Sequence, residues 1–148
     1  MSEVFKKGLT FYKKIMENSN EKQKVLIVDD NSSLTTVLVD KLKASGFDAM
    51  SAPDGEEGLK KAFDFHPDIM LVDLLMPKMD GMTMLGKLRE DEWGKTCKVM
   101  ILSLIEDADY ISKAVDYNVF GYIIKTDYTL TGVVDQIKTA LTSTKAKY

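Results

Sequence analysis

The chain has few of the residues that staple or punctuate a fold. It carries one cysteine, Cys97, so no internal disulfide can form and a reducing, cytoplasmic setting is expected. It has no excess of positive charge: the net charge of −3 gives no global footprint for nucleic acid or an anionic membrane. No apolar run approaches the length of a membrane span. The N-terminus lacks the apolar core of a signal peptide, because its hydrophobes are interleaved with lysines. There is no internal repeat and no low-complexity tract. What remains is an ordinary globular composition, 45% hydrophobic and 29% charged. At 148 residues this suits one domain plus a short appendage, with enough chain to bury a core unaided.

Residues 1–23 form the appendage. Phe5, Leu9, Tyr12 and Met16 recur at helical spacing, which predicts an amphipathic helix running to the polar breaker Asn18-Ser19-Asn20. Because the segment is short and lysines interrupt it, a docking or linker helix is expected rather than a membrane anchor. Its apolar stripe is expected to pack on the main domain or on a second copy, as in a homodimer.

From Lys24 to about residue 144 the pattern alternates between strands and helices. Val25–Val28, Ile69–Val72, Val99–Leu102 and Tyr122–Ile124 are short apolar runs suited to strands buried on both faces, and Phe47–Ser51 suits a shorter one. The helix after the first strand can be capped by Asn31 or Ser32, turns Leu34, Val37, Leu38 and Leu42 inward, and closes at Gly46. Pro53-Asp54-Gly55 opens a helix ending near His66-Pro67, and Met82–Glu90 reads as the next. Asp107–Tyr117 carries Ile111, Ala114 and Val115 inward and closes at Asn118, which tolerates a left-handed backbone. Leu130, Val133, Val134, Ile137 and Leu141 mark the last helix, with fraying from Ser143. This alternation predicts an α/β fold, a doubly wound five-stranded parallel sheet of flavodoxin-like order 2-1-3-4-5, with an extra N-terminal helix.

The strand ends carry the chemistry. The first strand stops at Asp29-Asp30, the third at Asp73, the fourth at Ser103 and the fifth at Lys125. Parallel strands share a direction and lie about 4.8 Å apart, so these residues converge on one edge, at the switch point between the first and third strands. Three carboxylates that close need a cation. An oxygen-only donor set, with no cysteine or histidine nearby, favours Mg²⁺ over zinc. A carboxylate, a divalent ion, a lysine and a hydroxyl together suit phosphoryl transfer. His66 lies roughly 20 Å of strand away from Asp73, so a donor histidine must come from another protein. Cys97, the methionines and Trp93 read as packing residues.

In order and spacing, Asp29-Asp30, the stretch Asp73-Leu74-Leu75-Met76-Pro77-Lys78-Met79-Asp80-Gly81, Ser103, and Gly121-Tyr122-Ile123-Ile124-Lys125 resemble the response-regulator receiver family of two-component signalling. The likeness covers roughly residues 24–142. It implies that Asp73 accepts a phosphoryl group from a sensor histidine kinase or histidine phosphotransfer protein. It implies Asp30 and Asp73 as direct Mg²⁺ ligands, Asp29 acting largely through water, and the Leu75 carbonyl completing the set. Ser103 corresponds to the switch hydroxyl, Tyr122 to the switch aromatic and Lys125 to the family's lysine. Gly81 corresponds to a residue that relieves the turn after the third strand. The resemblance further implies readout by a downstream protein partner, through the face of the fourth helix, fifth strand and fifth helix of the receiver.

Four positions depart from the family pattern. Thr126 stands where a proline with a cis bond is usual, Leu104 where a small residue is usual, and Asn118 where glycine is common. Leu75 offers no side-chain help to a hydrolytic water. It also lacks the acid that an aspartyl-phosphate phosphohydrolase places there, which disfavours turnover. A phosphorylation-independent module would be expected to have lost an acid or the lysine, and none is missing. A flavin-binding version of the fold is disfavoured by the acidic switch-point loops. With no output domain visible after the last helix, two readings are open: direct action on partners, without direct nucleic-acid contact, as in stand-alone receivers, or a receiver cut from a longer chain.

Overall fold

The computed structural model describes residues 2–143, with the side chains of residues 16–20 left undescribed. Six helices and five strands follow one another: α1 (Glu3–Asn20), β1 (Lys24–Val28), α2 (Ser32–Ala44), β2 (Asp48–Ala52), α3 (Gly55–Phe65), β3 (Ile69–Val72), α4 (Gly81–Glu90), β4 (Lys98–Ser103), α5 (Ala108–Asp116), β5 (Gly121–Ile124) and α6 (Leu130–Thr142). The strands form one parallel sheet in the order β2-β1-β3-β4-β5. This is the expected flavodoxin-like order.

Strand alternation divides the core in two. Val25 and Ile27 face α2 and α6, joining Leu38, Leu42, Val133 and Ile137. Leu26 and Val28 face the other way, towards Ala62 of α3, Met84, Leu85 and Leu88 of α4, and Ala114 of α5. Every residue of β3 is buried, as a central parallel strand covered on both faces must be.

Side-chain caps set the helix starts. Asn31, Asp54, Asp80, Asp107 and Thr129 each accept a hydrogen bond from a backbone N–H of the helix they precede. Asn31, rather than Ser32, caps α2. Asn118 adopts the left-handed backbone expected of it, at φ 57°, and Gly46 lies at φ 95° just after α2.

Some inward assignments fail. Val37 and Val115 lie on the outer sides of α2 and α5, 49% and 44% exposed. Neighbouring positions already fill those faces, and a helix turns only a stripe inward. None of the described residues covers the α1 stripe either. Phe5, Leu9 and Tyr12 are all exposed, and so are Val4, Phe11 and Ile15. The Met16 side chain and the tail 144–148, expected to fray, lie outside the described residues.

Candidate functional site

Two register partners, Val28 of β1 and Val72 of β3, are the last residues of their strands. The Asp73 amide donates to the Val28 carbonyl at 2.9 Å, so Asp29 and Asp73 leave the sheet side by side. Both are buried, while Asp30 is exposed. One carboxylate oxygen from each of the three lies within 4.8 Å of the others. The following turns occupy one oxygen of each buried acid. The Asn31 amide donates to Asp29 Oδ1 at 2.9 Å, and the Leu74 amide to Asp73 Oδ1 at 2.8 Å.

The remaining oxygens meet Lys125. This residue follows β5 and opens a single 3₁₀ turn, Lys125–Asp127, with no cis peptide bond among the described residues. Its Nζ lies 2.7 Å from Asp29 Oδ2 and 3.2 Å from Asp73 Oδ2. Burial, then the Asp29 charge, push the Asp73 carboxyl above its ordinary value, against the opposing pull of Lys125 and the Leu74 N–H. Burial works against the Lys125 ammonium, but Asp29 and then Asp73 outweigh it and hold the group above its usual value.

Asp29 Oδ2 is the orphan of the site. It is buried, and apart from its ion pair with Lys125 it has no partner among the described residues. A buried carboxylate oxygen short of hydrogen bonds, in an oxygen-only cluster, fits a hard divalent cation.

Ser103, the last residue of β4, is buried, and its Oγ accepts from the Ile105 amide at 3.3 Å. The Tyr122 hydroxyl donates to the Ile105 carbonyl at 2.7 Å. Burial raises the Tyr122 phenol above its ordinary value, while the neighbouring Ser103 hydroxyl acts the other way. Asp30, Asn31, Asp73, Leu75, Ser103, Leu104 and Lys125 line a cleft of about 350 Å³. Leu75 and Leu104 form its apolar lips, 60% and 65% exposed.

The structure thus gathers Asp29, Asp30, Asp73, Ser103, Leu104, Leu75 and Lys125 at one sheet edge, with Tyr122 half-buried beside Ser103. His66 lies at the opposite edge, stacked on Trp93 with ring centroids 4.4 Å apart. Burial pushes the Cys97 thiol up to about 12, so it stays protonated at neutral pH. The loop from Ser103 to Ile105 is the segment expected to move with the Ser103 hydroxyl; what sequence reasoning missed is that the Ile105 main chain joins the two hydroxyls. Gly81 relieves the turn after β3 by lacking a side chain rather than by an unusual backbone angle. Its φ is not positive; instead, a Cβ there would collide with the Asp73 carbonyl oxygen and lie 2.9 Å from Leu74 Cα. It lets α4 start directly against the backbone that follows β3.

Comparison with known proteins gives the family. The model of the response regulator receiver domain matches residues 25–135, and the chain belongs to that family. It is a receiver domain of two-component response regulators, a signalling phosphoacceptor class rather than a conventional enzyme. The alkaline phosphatase synthesis transcriptional regulatory protein PhoP of Bacillus subtilis is 43% identical over 70 residues, 47% of this chain and 29% of that protein. Protein PilG of Pseudomonas aeruginosa is 33% identical over 88 residues, 60% of this chain and 65% of PilG. The matches therefore take in less than two thirds of the length of these relatives. The chemotaxis response regulator CheY4 of Vibrio cholerae shares the fold, with a TM-score of 0.75 at 22% identity, over 81% of this chain and 99% of that one.

Receiver domains bind Mg²⁺ in an acidic pocket, and response regulators receive phosphate from histidine kinases and act on downstream targets. No described helix is long and apolar enough to cross a membrane.

Proposed function

We propose that Asp73 is the phosphoacceptor of this receiver. The observation that carries this reading is the position of its carboxylate: within 4.8 Å of two further carboxylates, 3.2 Å from the Lys125 ammonium, and at the wall of an open cleft. An Asp73 oxygen forms the new bond to phosphorus as the bond to the donor's imidazole nitrogen breaks, and the imidazole takes up a proton. Lys125 neutralises charge on the transferring group. Mg²⁺ is the cofactor of this reading, held by Asp30, Asp73 and the Leu75 carbonyl, with Asp29 acting through water. When bound, it supplies charge neutralisation at the phosphoryl oxygens.

The donor is a sensor histidine kinase or a histidine phosphotransfer protein, in the cytoplasm, and small acyl phosphates can substitute for it. Residues 24–144 form the receiver and residues 1–23 an extension. Ser103 and Tyr122 couple the phosphoryl group to the face of α5, β5 and α6, which a downstream protein reads. Leu75 supplies no acid for a phosphohydrolase cycle, so the acyl phosphate decays slowly.

The test is intact-mass measurement after incubation with acetyl phosphate and Mg²⁺. One phosphate is expected on the wild type and none on Asp73→Asn. Equal labelling of the two would end the assignment.

A further inference from the structure

The helix α1 lies outside the residues matched by the family model and outside the site. At 100° per residue, Val4, Phe5, Gly8, Leu9, Phe11, Tyr12 and Ile15 fall on one unbroken arc of roughly 160°. Lys6, Lys7, Lys13 and Lys14 all fall on the remaining arc, so the lysines that interrupt the sequence do not interrupt the face. The interruption assumed from their interleaving is thus absent from the face. The large side chains of that face stand free, with Val4 82%, Phe11 68% and Tyr12 61% exposed.

We propose that α1 is an interfacial helix that lies in the surface of an anionic lipid bilayer. Three features favour this occupant. The apolar arc is wider than a two-helix seam and carries the aromatics Phe5, Phe11 and Tyr12, whose bodies suit the headgroup–acyl boundary. Lysines flank it on both sides, Lys6 and Lys13 on one and Lys7 and Lys14 on the other. Their stems can lie along the apolar layer while the ammonium groups reach lipid phosphates.

The same flanks disfavour a second copy. The seven-residue spacing repeats on both edges, so parallel and antiparallel pairing each set lysine against lysine. The acids of the segment, Glu3, Glu17 and Glu21, are outnumbered by Lys6, Lys7, Lys13, Lys14 and Lys22. The local charge is therefore opposite to that of the whole chain. The helix is too polar to span a membrane, and surface attachment does not require it to.

The test is co-sedimentation of the full chain with vesicles of phosphatidylcholine alone and of phosphatidylcholine with phosphatidylglycerol. Each lysine near an anionic surface strengthens binding about fivefold. The expected result is partition onto the anionic vesicles on the order of 100-fold stronger than onto the neutral ones, weakened by high salt. Replacing Lys6, Lys7, Lys13 and Lys14 by Gln should remove that difference. The double variant Phe11→Ser with Ile15→Ser should release the chain from both vesicle types while leaving its thermal melting unchanged. Equal partition onto both vesicle types, or onto neither, overturns the proposal. So does light scattering that gives a dimer for the wild type and a monomer for the double variant, because a second copy then covers the face. A lowered melting temperature of the double variant also overturns it, since the face would then pack on the receiver.

Discussion

Lys125 lies closer to Asp29 than to Asp73, with Nζ–Oδ2 distances of 2.7 and 3.2 Å. The lysine therefore neutralises a pair of buried acids, and its removal should act through both. Lys125→Met should cost about 1.5–3 kcal/mol of stability at neutral pH, the scale of a charge-assisted contact. The loss should shrink on acidification, because a proton on Asp73 then replaces the missing cation. In the wild type the raised Lys125 value means that its contribution is fully present below 10.5 and is lost as pH rises through the higher folded value. Urea titrations of both proteins across pH check this; an equal loss at pH 4 and pH 7 would contradict it.

The Asp73 carboxyl shifts the other way in its effect on stability. Its folded value is raised above 3.8, so the folded state holds the proton more tightly than the unfolded chain does. Stability should then fall as pH rises from 3.8 through the folded value, and level off above it. Asp73→Asn removes this penalty and should stabilise the protein at neutral pH by about 0.5–2 kcal/mol, as relief of functional strain commonly does. Thermal melting of the two proteins at pH 7 measures it, and a lower melting temperature for the variant would refute the sign.

Ser103 and Tyr122 hold the two ends of the Ile105 peptide unit's residue, its amide and its carbonyl. Drawing the Ser103 hydroxyl towards a phosphoryl group must release the Ile105 amide and disturb the carbonyl that anchors Tyr122. Ser103→Ala should still be phosphorylated but should lose most of the amide shift changes over residues 104–125 caused by a phosphate mimic. Tyr122→Phe should cost about 0.5–1.5 kcal/mol for the lost hydrogen bond. Identical shift maps for wild type and Ser103→Ala would remove the hydroxyl from the coupling.

Leu75 and Leu104 border the cleft without closing it. Truncating Leu104 should widen the approach to Asp73 and speed both acetyl phosphate labelling and dephosphorylation. The gain should reach about tenfold, or ~1.4 kcal/mol of barrier. Time courses of intact mass give both rates, and unchanged rates would show that this lip does not limit access.

Arg89 clasps the edge of the domain beneath α4. Its guanidinium donates to the carbonyls of Tyr117 (2.9 Å), Asn118 (3.1 Å), Gly94 (2.7 Å) and Cys97 (2.7 Å). Arg89→Met should cost about 3 kcal/mol or more. Arg89→Lys should recover little, because an ammonium cannot reproduce the planar fork. Chemical denaturation decides this, and full rescue by lysine would reduce the clasp to a simple charge effect.

Strand order, the shared edge of Asp29, Asp30, Asp73, Ser103 and Lys125, and the asparagine that ends α5 were legible in the sequence. Each follows from local chemistry: apolar runs of strand length, capping side chains, and the common direction of parallel strands. Which of Val37 and Leu38 turns inward was not legible, because both are apolar and only the packed neighbours select the stripe. Gly81 was identified as relieving the turn after β3, but the contact it avoids was not, since the approach of α4 to the Asp73 carbonyl is a distance between elements. The pairing of Lys125 with Asp29, the orphaned Asp29 oxygen and the Ile105 link between Ser103 and Tyr122 also belong to the tertiary structure. They depend on contacts of 2.7 to 3.3 Å between residues up to 96 positions apart, from Asp29 to Lys125. Residue order names such groups, but only the folded backbone sets which atoms meet.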